Sequence, residues 1–367
     1  MKINFIDLKR QYIQYKSEID REIAEVIDST QFIMGEKVLE LEGVLASHVG
    51  VHHGISVSSG TDALLLALMA YGVKGGDEVI CPPFTFIATA EVVSLLGARP
   101  VFVDIEKKTY NIDPSLIEDK ISDQTRGVIP VGLYGQVADM DAIDSIAKRH
   151  GLFVIEDGCQ SFGATYRGRK SCGLSETGVT SFFPSKPLGC YGDGGMVFTD
   201  NEEIAKRIQG LRNHGQEKRY QHKYIGTNGR LDTIQAGVLL AKFQHLEEEI
   251  KLREIKGAYY TKGLKDLVVT PYIERHNTSV YAQYSIRIDR RDGLSKSLND
   301  NGIPTAIHYP MPLHLQEAFG DLGYRENDFP VSERVSKEIL SLPMSPFITQ
   351  DEQDYVIEKV RRFFKGK

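Results

Sequence analysis

Between about Gly50 and Asp200, short apolar runs alternate with amphipathic stretches. The runs fall at residues 55–57, 78–80, 100–103, 128–131, 152–155, 179–183 and 196–198. They are rich in β-branched and aromatic residues and are bounded by Gly, Asp or Pro, which predicts strands. Apolar positions at helical spacing predict helices over 61–70, 88–96 and 140–150. Strands alternating with helices imply βαβ crossovers and a mostly parallel sheet. Near-continuous apolar strands imply that both sheet faces are covered. Ligands of open α/β sheets bind beyond the carboxyl ends of the strands, so the residues that follow each run are the ones to read for chemistry.

A helical pattern continues through Leu231, Ile234, Val238, Phe243 and Leu246, and the charge run from Glu247 to Arg253 reads as its solvated face. Further on come a short apolar pair at Val268-Val269, strand-like alternation over 281–288, an apolar stretch over 303–309 and a C-terminal helix from about Thr349. This organisation predicts a large α/β domain over 1–248 and a smaller α+β domain over 249–367. No internal repeat or low-complexity segment interrupts it.

Composition narrows the classes. The chain has 367 residues, a formal net charge of -6, 41% hydrophobic and 26% charged residues. That is ordinary for a globular protein and argues against disorder, collagen and coiled coil. It also argues against nucleic-acid binding, which needs a basic face. The most apolar stretch, 63–71, is far shorter than a membrane span. The opening residues lack the apolar core of a secretory leader. The 4 cysteines form no Cys-x-x-Cys pair, and reduced thiols in a cytoplasmic protein are expected. His48, His52 and His53 have no metal-ligand spacing, and 163–170 lacks the Gly-Lys-Ser/Thr ending of a P-loop.

Three segments carry candidate chemistry. Ser58-Ser59-Gly60-Thr61-Asp62-Ala63-Leu64 follows a strand and opens a helix, where unpaired N–H groups and the helix dipole suit a phosphate. On its own it reads first as an ordinary helix cap. Glu156-Asp157 ends a buried strand, where a carboxylate needs a cation or hydrogen bonds. A cap on the next element would explain it equally well. Lys186 stands between Pro184-Ser185 and Pro187, ahead of Gly189, Gly192, Gly194 and Gly195. A lysine held in such a loop can be desolvated into a nucleophile. A phosphate cradle, a buried acid and a reactive lysine are together the parts that hold pyridoxal 5′-phosphate (PLP), the lysine forming the Schiff base and the acid pairing with the ring nitrogen.

The segments FIDLKRQY, SSGTDALLLAL, PPFTFIATAE, EDGCQSFGA, SFFPSKPLGCYGDGG, GRLDTIQAGVLLAKF and IHYPMPLH resemble the DegT/DnrJ/EryC1/StrS sugar-nucleotide aminotransferases over essentially the whole chain. The resemblance implies a type I, aspartate-aminotransferase-like α/β fold with a large mostly parallel sheet domain and a smaller C-terminal domain. It implies that Lys186 is the PLP lysine, Asp157 the acid at the ring nitrogen and Gln160 the neighbour of the ring hydroxyl. Gly60, Thr61 and Ser181 match phosphate contacts, and Phe86 matches the residue stacked on the ring. Asn228 matches an asparagine that reaches the phosphate from a second subunit, which implies a homodimer with shared sites.

The retained Lys186 favours transamination over dehydration, because dehydratase relatives carry His there. The segment 307–314 resembles enzymes that aminate C3 of a keto-sugar. The resemblance extends to those that take the amino group from L-glutamate and place it on a UDP-linked 3-oxo-2-acetamido-2-deoxy-glucuronate, for surface polysaccharide such as lipopolysaccharide O-antigen. Arg230 then has a carboxylate to grip, in glutamate or in the uronate. A surface ion pair is its plainer role. His308 and Tyr309 are expected to hydrogen-bond the sugar, with packing at a strand end as their plainer role. The rival expectations are a dTDP-linked 3-oxo-6-deoxyhexose as substrate, and a non-catalytic regulatory or binding protein on the same fold.

Overall fold

The computed structural model describes residues 3–365. Its centre is a sheet of seven strands: β1 (His53–Val57), β2 (Glu78–Cys81), β3 (Arg99–Phe102), β4 (Thr125–Val128), β5 (Phe153–Asp157), β6 (Thr177–Ser181) and β7 (Gly195–Thr199). Their spatial order is β1-β7-β6-β5-β4-β2-β3. All run parallel except β7, which is antiparallel to both β1 and β6. Each of the seven apolar runs contributes to a strand. The run at 128–131 ends its ladder at Val128, and only the isolated bridge from Val131 to Asp157 continues it.

Successive strand residues point to opposite faces, and here each face meets its own core. Ile80, Val128, Val154, Met196 and Phe198 join one buried cluster. Val79, Cys81, Ile155, Val179 and Val197 join the other. Helices Glu36–Val49 and Met140–His150 cover the first face, and Gly60–Tyr71, Ala88–Leu95 and Glu202–Leu211 the second. A fully buried aliphatic side chain contributes about 1.5–3 kcal/mol, so two-sided burial is what holds these short strands.

The helical pattern over 231–246 resolves into two helices, Thr233–Phe243 and Leu246–Leu264. The break is at Gln244-His245, where the His245 ring stacks on Tyr15 at 3.8 Å. The second helix passes without interruption through the 248/249 position. It packs Tyr260 and Leu264 into a separate core with β8 (Tyr284–Arg287), β9 (Ile339–Leu342) and helices Arg291–Asp300 and Gln350–Lys365. Ile3, from the other end of the chain, joins the same core. The apolar stretch 303–309 makes no strand, only the bridge from Ala306 to Ser341. Pro304 and Pro310 lack the N–H that a ladder needs.

Candidate active site

The carboxyl ends of β1, β2, β5 and β6 open into one cleft of about 480 Å³. Nine of the expected residues line it: Gly60, Thr61, Phe86, Asp157, Gln160, Ser181, Lys186, His308 and Tyr309. The first seven come from the sheet side and the last two from the C-terminal part of the chain.

The first wall is the start of helix Gly60–Tyr71. The Ser59 hydroxyl caps it by accepting from Asp62 N–H at 3.0 Å. Gly60 and Thr61 hold the first N–H groups of the helix, which have no partner within it. The acid of the first turn is held by the two serines, as the Ser58 and Ser59 hydroxyls both donate to Asp62 Oδ2, at 2.5 and 2.9 Å. Opposite lies Ser181, whose Oγ accepts from Phe183 N–H at 3.2 Å, leaving its own proton free to donate. A Cβ on Gly60 would sit 2.6 Å from the Ser181 Cβ, so only glycine lets β1 and β6 close this cradle. Two free N–H groups, a free hydroxyl proton and a helix N-terminus fit a phosphate.

The floor is Asp157. It accepts from Cys159 N–H at 3.1 Å and from the Thr89 hydroxyl at 3.0 Å. Its neighbour Glu156 points through the sheet instead and accepts from Ser171 Oγ, Cys172 N–H and Leu174 N–H, at 2.8, 2.8 and 3.2 Å. Burial pushes the Glu156 carboxyl up to about 7. So the buried acid pair divides into one structural acid and one that faces the cleft.

Lys186 lies in the loop between β6 and β7. Among the described residues its Nζ has no hydrogen-bond or ion-pair partner. Several contacts brace the loop, two of them close to Lys186 or from a buried cation. Lys186 N–H donates to Phe183 O at 2.9 Å, and the buried Lys242 Nζ donates to Gly189 O. Burial pushes the Lys242 ammonium down to about 8.

The far wall joins Gln160 to Tyr309. Gln160 Nε2 donates to the Tyr309 hydroxyl at 3.3 Å, and Gln160 Oε1 accepts from Tyr134 N–H at 3.0 Å. Tyr134 OH in turn donates to His308 O. His308 Nδ1 meets Ser341 Oγ at 3.0 Å. Burial, and then the charge of Lys186, hold its imidazolium below the usual range. The half-exposed Phe86 ring lies 6.3 Å from the Tyr309 ring at the mouth of the cleft.

Asn228 and Arg230 do not line the cleft. Arg230 Nη1 donates to Asn213 Oδ1 at 2.6 Å, and its buried Nε has no partner. Sequence reasoning missed Thr85, Thr89 and Gln283, which do line it. For the two threonines a signal existed, since they flank Phe86, one just before it and one within the first turn of helix Ala88–Leu95.

The chain is similar to the UDP-2-acetamido-2-deoxy-3-oxo-D-glucuronate aminotransferase of Pseudomonas aeruginosa, with 51% identity over 94% of this chain and 96% of that one. It is 46% identical to the pleiotropic regulatory protein of Geobacillus stearothermophilus, over 100% of this chain and 99% of that one. The structure of NtdA from Bacillus subtilis, solved with bound cofactor PMP, superposes with a TM-score of 0.92 at 32% identity, covering 99% of this chain and 85% of that one. Among the described residues, no helix is long and apolar enough to cross a membrane. With the DegT/DnrJ/EryC1/StrS aminotransferase family model matching residues 14–361, the chain belongs to that family of PLP-dependent sugar aminotransferases.

Proposed function

We propose that this enzyme moves an amino group from L-glutamate to C3 of a UDP-linked 3-oxo-2-acetamido-2-deoxy-glucuronate. The observation that carries the sugar assignment is the 51% identity, over nearly the whole length of both chains, to an enzyme named for that substrate. Making a diamino-uronic acid for surface polysaccharide, in the cytoplasm where nucleotide sugars are built, follows from that assignment.

Each residue has a task in this reading. Gly60 and Thr61 N–H groups and the Ser181 hydroxyl bind the cofactor phosphate. Asp157 holds a proton on the ring nitrogen, Gln160 faces the ring hydroxyl, and Phe86 stacks on the ring and excludes water. PLP, when bound, supplies the amino-group carrier and an electron sink. Lys186 Nζ takes the proton from Cα of the amino donor and later delivers a proton to C3 of the sugar. His308 and Tyr309 contact the sugar.

Asn228 and Arg230 act in this reading in the cleft of a second copy. Asn228 approaches the phosphate, and Arg230 grips a carboxylate of glutamate or the uronate. The unpartnered Arg230 Nε supports a missing anionic partner. A homodimer with shared sites satisfies both residues, and the large and small domains of each copy flank the cleft.

The similarity to a regulatory protein favours a second reading, a non-catalytic member of the same fold. Lys186, Asp157 and Gln160 in one cleft weigh against it. Turnover of the UDP-uronate compared with a dTDP-linked 3-oxo-6-deoxyhexose tests the proposal. Preference for the uronate is expected. Faster turnover of the deoxyhexose overturns the sugar assignment, and absence of turnover with either, together with no visible absorbance after added PLP, favours the regulatory reading.

A further inference from the structure

Two elements fix the Asp157 carboxylate from its two ends. Cys159 N–H, just past β5, donates to Oδ1 at 3.1 Å, and Thr89 Oγ1, on helix Ala88–Leu95, donates to Oδ2 at 3.0 Å. Behind Thr89 stands Thr85, with the two hydroxyl oxygens 3.3 Å apart. Both threonines are buried, and both line the cleft. A hydroxyl carries a single proton. Thr89 gives its proton to the carboxylate, so Thr85 is the donor in the contact between them. The chain of bonds therefore has one direction, from Thr85 to Thr89 to Asp157.

This arrangement does more than pair a buried polar group. The torsion that turns a carboxylate about its own axis is soft and roughly two-fold. A donor on each oxygen, from separate elements, locks that torsion. A carboxylate has about four acceptor sites, and those left over face the cleft. Thr89 is also β-branched within a helix, so its χ1 is confined to few rotamers.

We propose that Thr89, oriented by Thr85, is a positioning residue that sets the plane of the Asp157 carboxylate toward the ring nitrogen of bound PLP, an inference that rests on the role given to Asp157 above. The test compares wild-type holoenzyme with Thr89→Val, which keeps the shape and removes the hydroxyl, and with Thr89→Ser, which keeps the hydroxyl. The readouts are the PLP dissociation constant and the pH dependence of the visible absorbance of the bound cofactor.

Thr89→Val is expected to weaken PLP about 10-fold, the loss typical of a hydrogen bond to a charged group. It should also displace the absorbance–pH curve, while Thr89→Ser stays close to wild type. A Thr89→Val protein with the wild-type constant and curve overturns the inference. If that variant does not fold, Thr85→Val replaces it. A smaller change in the same direction supports the relay, and an unchanged curve overturns it. Failure of the wild type itself to load PLP would overturn the site reading first, which separates the two failures.

Discussion

Glu156 and Asp157 are adjacent in β5 and serve opposite sides of the sheet, Asp157 in the cleft and Glu156 in a buried pocket of Ser171, Cys172 and Leu174. The structural acid gives a pH prediction. Unfolded, its carboxyl titrates near 4.5, and folded near 7. Between those values the folded state binds more protons, so the contribution of Glu156 to stability falls as pH rises, by on the order of 3 kcal/mol in total. Glu156→Gln removes that slope. Denaturant-unfolding free energies of both proteins between pH 5 and pH 8 check it, as the wild type should lose stability relative to the variant across the window.

Gly60→Ala should close the phosphate cradle. The added methyl would lie 2.6 Å from the Ser181 Cβ and 3.1 Å from Cys159 Sγ. Overpacking of this kind costs about 1–3 kcal/mol. Fluorescence titration with PLP should give at least a tenfold weaker complex, and thermal melting should show the lost stability.

Lys242→Met separates a bracing role from a stabilising one. The buried ammonium donates to Gly189 O in the loop of Lys186, and its Nζ lies 5.4 Å from the Tyr191 ring centroid. Removing a buried charge recovers desolvation energy that offsets the lost hydrogen bond. The melting temperature should therefore change little while kcat falls about 10-fold, equivalent to about 1.4 kcal/mol in the barrier. A proportional loss of both would assign Lys242 to stability alone.

Arg230→Gln should discriminate between substrates. If the guanidinium grips the uronate carboxylate, its loss should raise KM for the UDP-uronate at least tenfold and leave a deoxyhexose lacking that carboxylate nearly unaffected. Sharing of sites has a separate readout. Mixed and refolded chains of Lys186→Ala and Arg230→Gln should recover partial activity, because hybrid dimers regain one intact site. No recovery would place Arg230 in its own chain's site.

Much of the fold was legible because the sheet is buried on both faces. Residues such as Val79-Ile80 and Val154-Ile155 send one side chain to each core, which leaves unbroken apolar runs in the sequence. The apolar stretch 303–309 forms no strand, since hydrophobicity alone does not register the missing N–H of Pro304. That Lys186, Asp157 and Gly60 share one cleft was readable from their places at or beyond the carboxyl ends of strands, whereas Gly60 and Asp157 taken singly read equally well or better as caps. The bonds that hold them were not readable. Thr89 and Asp157 lie 68 residues apart, and Lys242 and Gly189 lie 53 apart, so only tertiary packing brings them together. The division of labour between Glu156 and Asp157 was within reach, since a period of two puts neighbours on opposite faces.

The most direct measurement is the mass of the product formed when the holoenzyme is mixed with L-glutamate, isotopically labelled in its amino group, and the 3-oxo UDP-uronate. Transamination at C3 predicts a UDP-amino-uronate carrying the label, 2-oxoglutarate in equal amount, and no multiple turnover by Lys186→Ala. An unlabelled sugar product, or repeated turnover by Lys186→Ala, would contradict it.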